Sequence, residues 1–173
     1  MRVFKWIVYS LLGINVALFL TQATAVEALD SLAWLALLLL FEWESHRPHP
    51  GDQQDWQYLI IHNGRIAAYL VILSVALCYS APSFCVEHGS LDMWNAWTWI
   101  AVVLILEHDT HRPSQIYSSL ILSAKFLLYG ALVLYAVCWG LTQGWLNFYD
   151  ALLWILCFFV IELGVEHIAP DGS

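Results

Sequence analysis

Six long apolar segments, separated by short polar stretches, constrain this chain more than any other feature. Of its 173 residues, 61% are hydrophobic and 12% are charged, whereas soluble domains are nearer half apolar and a quarter charged. A helix crosses the hydrocarbon core of a bilayer with about 20 apolar residues. The pattern predicts an all-α, polytopic integral membrane protein with six transmembrane helices in a single membrane domain, residues 1–173.

Polar residues set the limits of the predicted spans. The first covers about 4–24, and the second follows a short loop containing Glu27 and Asp30 and ends near residue 46. A third span at about 58–81 leads through a loop, 82–90, to a fourth at about 91–108. The fifth and sixth are expected at about 116–140 and 147–167.

A pattern that closes each even-numbered span occurs three times. A Trp is followed eight residues later by a Glu, and four residues after that by His, His and Glu in turn. The three copies are Trp34, Glu42, His46; Trp99, Glu107, His111; and Trp154, Glu162, Glu166. Such self-similarity at a fixed period indicates an internal repeat.

The odd-numbered spans repeat as well, with Lys5, Arg65 and Lys125 spaced at intervals of 60 positions. The unit is therefore a two-helix hairpin, present as three tandem copies at 1–57, 58–115 and 116–173. Hairpins that each cross the membrane twice keep the same orientation. The sequence predicts parallel repeats about a pseudo-threefold axis along the membrane normal.

The distribution of basic residues predicts the orientation. All six lie on one side of the predicted spans: Arg2, Lys5, Arg47, Arg65, Arg112 and Lys125. Under the positive-inside rule this side is cytoplasmic, which places both termini there and favours a bacterial-type inner (plasma) membrane. These residues are too few and too scattered to form a surface for nucleic acid.

Glutamate and histidine near the cytoplasmic side suggest translocation of a proton or cation. Positions i and i+4 share a helix face, so each repeated Glu projects with its partner. Carboxylates and imidazoles carry protons when burial moves their pKa towards neutrality. The candidate binding residues are Glu42, Glu107, Glu162, His46, His111 and Glu166, with Lys5, Arg65 and Lys125 as charge partners.

A divalent metal, zinc or iron, is the candidate cofactor of a second hypothesis. The ligands would be Glu42, His46, Glu107, His111, Glu162 and His167. Carboxylate and imidazole suit these metals. The spacing is Glu-x-x-x-His, whereas di-iron sites in helical bundles use Glu-x-x-His. Motifs for nucleotide binding, serine hydrolysis or zinc proteolysis do not occur in the sequence, which disfavours an enzyme.

A third hypothesis is a structural or accessory subunit of a larger membrane complex, or of a homo-oligomer, in the lipid bilayer. Ten Trp and eight Phe offer large contact surfaces. In this case the Glu column fixes helix packing by pairing with basic residues. Asp30, Asn95 and Asp150 are interpreted as helix N-caps, and the repeated Trp residues as core. A disulfide among Cys78, Cys85 and Cys138 is left open.

Overall fold

The fold is helical throughout the part of the chain that the computed structural model describes, residues 2–45, 56–111, 118–142 and 145–166. Side chains are described at 6–44, 56–87, 89–106, 119–142 and 145–158. These residues form seven helices and no strand, which confirms the all-α expectation. The helices are α1 (Arg2–Gln22), α2 (Ala25–Ser45), α3 (Trp56–Tyr79), α4 (Pro82–His88), α5 (Leu91–His111), α6 (Ser118–Thr142) and α7 (Trp145–Glu166).

Two helices, α3 and α6, are long and apolar enough to cross a membrane within the described residues. Most of this apolar surface is not buried inside the structure. Only 28% of the most apolar 18-residue stretch of α3 is buried, and 11% of that of α6. Shorter apolar stretches lie in α1, α5 and α7, at Trp6–Gln22, Leu91–Leu106 and Trp145–Phe158. Helix α2 carries four carboxylates, Glu27, Asp30, Glu42 and Glu44, towards its two ends.

Helix α2 begins earlier than the sequence predicts, because Thr24 and Glu27 cap it. The Thr24 N–H and hydroxyl both donate to Glu27 Oε2, at 2.8 and 2.7 Å, and the Glu27 N–H donates to Thr24 Oγ1 at 3.3 Å. This reciprocal capping box satisfies backbone donors that have no partner within the first turn. The predicted loop with Glu27 and Asp30 is therefore wrong, since both residues lie within α2.

The stretch 82–90, expected as a loop, contains the short helix α4. Pro82 occupies the first turn, where its missing N–H costs nothing. The Cys85 N–H donates to the Ala81 carbonyl at 3.1 Å, and the Gly89 N–H to the Cys85 carbonyl at 3.0 Å. Gly89 ends the helix with φ of 90°, a conformation that glycine adopts without strain.

Two compact units make up the chain. In the unit formed by residues 13–90, α2 packs against α3. The other unit comprises residues 1–12 and 91–173, where α6 packs against both α5 and α7. There, Ala136 and Trp139 of α6 form a small core with Ala151 of α7.

Candidate functional site

An ion pair joins α2 to α3 near the C-terminal end of α2. Arg65 Nη1 of α3 donates to Glu44 Oε2 of α2 at 2.7 Å. The same guanidinium lies over the ring of Phe41, with its carbon 4.2 Å from the ring centroid. Arg65 and Glu44 are partly shielded, with 23% and 36% of their side-chain surfaces exposed. We call Phe41, Glu44 and Arg65 the α2–α3 junction.

The spacing along α2 explains why one arginine reaches two side chains. Phe41 and Glu44 are three residues apart and share a face. Gly64, next to Arg65, brings α3 close to this face, because a Cβ there would lie 3.0 Å from Leu40 Cδ1. The close approach places a cation over an aromatic ring and beside a carboxylate. Both contacts are attractive for a guanidinium.

The repeated Glu42 leaves α2 on a different side from the junction. Two residues turn an α-helix by about 200°, so Glu42 and Glu44 start from nearly opposite faces. Glu42 is half-buried. Arg65, a predicted charge partner, forms an ion pair with Glu44, a residue outside the predicted set.

Asp30 also has a defined partner, and its role differs from the expected N-cap. Asp30 Oδ1 accepts a hydrogen bond from the Trp34 indole N–H at 3.1 Å. Asp30 lies in the second turn of α2, and Asn95 and Asp150 lie at similar positions in α5 and α7. The N-cap interpretation is therefore wrong for this column, and the cap of α2 is Thr24.

The repeated Trp residues are core residues, as the sequence predicts. Trp34, Trp99 and Trp154 are exposed by only 8, 6 and 6%. In the unit that contains α5 and α7, Trp99 and Phe158 bring these helices together, with ring centroids 4.9 Å apart. Trp154 lies 6.4 Å from the same Phe158 ring. Trp99 therefore contributes to packing between α5 and α7.

Most of the remaining predicted site residues fall outside the described side chains. Lys125 is half-buried on α6. The backbone is described but the side chain is not for Lys5, Glu107, His111, Glu162 and Glu166, and His46 and His167 lie outside the described residues. Among the described residues, no group of three His, Cys, Asp or Glu could hold a metal ion. The metal and translocation hypotheses both remain predictions.

The four cysteines are free thiols. Cys78 and Cys138 are exposed and Cys157 is buried. The Cys85 thiol donates to the Tyr79 carbonyl at 3.1 Å, which ties α4 to the end of α3. The disulfide that the sequence left open is therefore not formed in this structure.

Sequence reasoning missed three residues of the contact between α2 and α3: Phe41, Glu44 and Gly64. A signal for two of them was available. Phe41 and Glu44 are spaced i, i+3, so a helix that faced one would face the other. No protein-family model, curated protein or solved structure matches this chain.

Proposed function

We propose that the chain is a polytopic integral membrane protein that acts as a small structural subunit of a membrane assembly. Six transmembrane helices would form three tandem hairpins around a pseudo-threefold axis, with both termini cytoplasmic. The lengths of the six long helices support membrane crossing, since their 21 to 25 residues extend about 32–38 Å, enough for a bilayer core of about 30 Å. The outward apolar surfaces of α3 and α6 also support it.

The observation that carries the structural role is the α2–α3 junction. A charged side chain near the hydrocarbon region is costly unless it is paired or reaches water. Arg65 is paired with Glu44 and covered on one side by Phe41. The ion pair thus neutralises two charges and fixes one helix against its neighbour. An acidic residue used in this way holds the helices together and does not need to exchange an ion.

Translocation of a proton or cation is the second candidate, and Glu42 favours it. This half-buried carboxylate starts from a face of α2 nearly opposite to that of Glu44. It belongs to the repeated column with Glu107 and Glu162, whose spacing would place three carboxylates at one membrane depth. Titratable groups at such a depth mark ion pathways in many membrane proteins.

The two candidate functions predict different effects of substitution on the stability of the protein and on ion flux. The full-length protein would be purified in detergent and its thermal unfolding followed for Glu44→Gln, Arg65→Gln and the double variant. We expect a coupling of about 0.5–1 kcal/mol between the two sites, the range for partly exposed ion pairs. Glu87→Gln, on the exposed side of α4, is the matched control and should leave the unfolding temperature unchanged.

Flux is measured with the same preparations in liposomes that contain a pH-sensitive dye, under an imposed potential. The structural role predicts no flux in the parent protein and a coupling of about 0.5–1 kcal/mol between Glu44 and Arg65. Flux that disappears in a stable Glu42→Gln, Glu107→Gln, Glu162→Gln triple variant would establish translocation instead. If the stability losses of Glu44→Gln and Arg65→Gln simply add in the double variant, the role given to the junction is contradicted.

A further inference from the structure

The chain passes from one compact unit to the other at two places, and a glycine lies at each of them. The first crossing is between Leu12 and Gly13, inside α1. The second is between Ser90 and Leu91, directly after Gly89. Because the four cysteines are free thiols, these two crossings alone join the units covalently. The backbone at the crossings therefore governs how far one unit can move relative to the other.

The crossing in α1 lies within an unbroken helix that is anchored on both sides of Gly13. In the part that belongs with residues 91–173, Tyr9 and Leu12 are buried. In the part that belongs with residues 13–90, Val16 and Phe19 are buried. One helix thus contributes its two halves to two different units. A movement between the units therefore requires α1 to bend, since both of its halves are held by buried side chains.

Gly13 allows α1 to bend, and close packing does not require a glycine there. Glycine is the least favourable residue after proline in a helix interior, because its backbone has the most conformational freedom to lose. A Cβ would lie 3.0 Å from a neighbour at Gly64 and 3.2 Å from one at Gly140, whereas no described atom lies within 4 Å of a Cβ at Gly13. Gly13 therefore weakens α1 at the boundary between the units without bringing another element closer.

The second crossing follows a glycine in a conformation that other residues rarely adopt. Gly89 has φ of 90° and ψ of 176°, and among the described residues it is the one with a positive φ. Gly89 and Ser90 are both exposed, and no described atom lies within 4 Å of a Cβ at Gly89. Hinges are formed by a few loop or helix-end residues, often small ones, that absorb large changes in backbone dihedral angles. Gly89 fits this description.

We propose that Gly13 and Gly89 are the two points of a hinge, at which the backbone bends when one unit moves relative to the other. Collective movements of this kind take place in microseconds to milliseconds. Gly130 of α6 also has no described atom within 4 Å of a Cβ. It lies inside a single unit, on a helix that packs against both α5 and α7, and is therefore no hinge. The movement does not depend on the proposed membrane location.

Nitroxide spin labels on two native cysteines test the hinge in the full chain, purified in detergent. Cys78 lies in the unit of residues 13–90 and Cys138 in the other unit, and both thiols are exposed. Cys157 is buried and stays unlabelled. Cys85→Ser removes the remaining thiol, and its hydroxyl can replace the bond to the Tyr79 carbonyl. Double electron–electron resonance then measures the distribution of distances between the two labels.

We expect a broad distance distribution in the labelled parent protein. Gly13→Ala should reduce the fraction outside the main peak about five-fold, which corresponds to about 1 kcal/mol of helix propensity. Gly130→Ala is the matched control, and it should leave the distribution unchanged because α6 lies within one unit. A single narrow peak in the parent protein would overturn the hinge. Equal narrowing by the two alanine variants would overturn it as well.

Discussion

At the scale of single residues, the hydrogen bond between Asp30 and Trp34 shows how two of the repeated sequence positions interact in α2. The indole N–H of a buried Trp needs an acceptor, and a carboxylate one turn earlier supplies it at 3.1 Å. The same spacing links Asn95 to Trp99 and Asp150 to Trp154. Asn also carries a side-chain oxygen that can accept a hydrogen bond. All three copies therefore carry a side-chain oxygen four residues before the Trp, whereas only two of them carry a charge there.

Replacement of Asp30 by Ala should destabilise the protein, because it leaves the buried Trp34 N–H without its acceptor. The expected loss is about 1–3 kcal/mol in the free energy of unfolding. Asp30→Asn keeps an acceptor and should cost much less. Thermal unfolding of both variants in the same detergent, followed by circular dichroism, measures the difference. Equal losses would show that the charge of Asp30 matters more than its hydrogen bond.

The sequence correctly predicted that the repeated Trp residues are core, but it gave the Asp30 column the wrong role, that of helix N-caps. Asp and Asn are frequent N-caps, and the predicted start of α2 placed Asp30 near the helix end. The actual cap, Thr24 with Glu27, matches the capping-box pattern. The partner of Arg65 could not be predicted, because periodicity within α2 does not say which face meets α3.

At the scale of helices, Gly64 sets how closely α3 approaches α2. Gly64→Leu should destabilise the protein by about 1–3 kcal/mol, since the added side chain must displace Leu40. Gly130→Leu is the matched control, because nothing lies within 4 Å of a Cβ there. That variant should be neutral or slightly stabilising through better helix propensity. Both are compared by thermal unfolding of the purified protein.

An equal loss of stability in Gly64→Leu and Gly130→Leu would contradict the role of Gly64 in close packing. A weakened Arg65–Glu44 coupling in the Gly64→Leu background would support it, since the ion pair depends on the distance between the two helices. The coupling is read from the same double-variant comparison at 44 and 65.

The ends of the six long helices were predicted from sequence to within a few residues, except the start of α2, which was expected after Asp30 and lies at Ala25. Each of their apolar runs is longer than an ordinary β-strand, and polar residues mark the ends of each run. The short helix α4 was missed, although it begins at Pro82 and is followed by Gly89. Both residues also occur at helix ends, Pro in the first turn and Gly after the last. Apolar content could not reveal a helix of 7 residues.

At the scale of the whole molecule, the distribution of charge predicts that both termini face the cytoplasm. Green fluorescent protein fused to either terminus should fluoresce in bacteria, whereas alkaline phosphatase at the same positions should be inactive. The matched control is a phosphatase inserted between Gly89 and Ser90, both exposed, which should be active. Termini on opposite sides would contradict the arrangement of three parallel hairpins.

Helices α1 and α2 are joined by Ala23 and Thr24 alone, and Thr24 is held by its bonds to Glu27. A ribosome adds about 5–20 residues per second, so the second helix follows the first from the exit tunnel within a few seconds. In the proposed membrane topology, so short a connection requires α1 and α2 to cross the membrane as adjacent antiparallel helices. The two helices would therefore be released from the insertion machinery as one pair, and truncation of the nascent chain within α2 should leave α1 unintegrated.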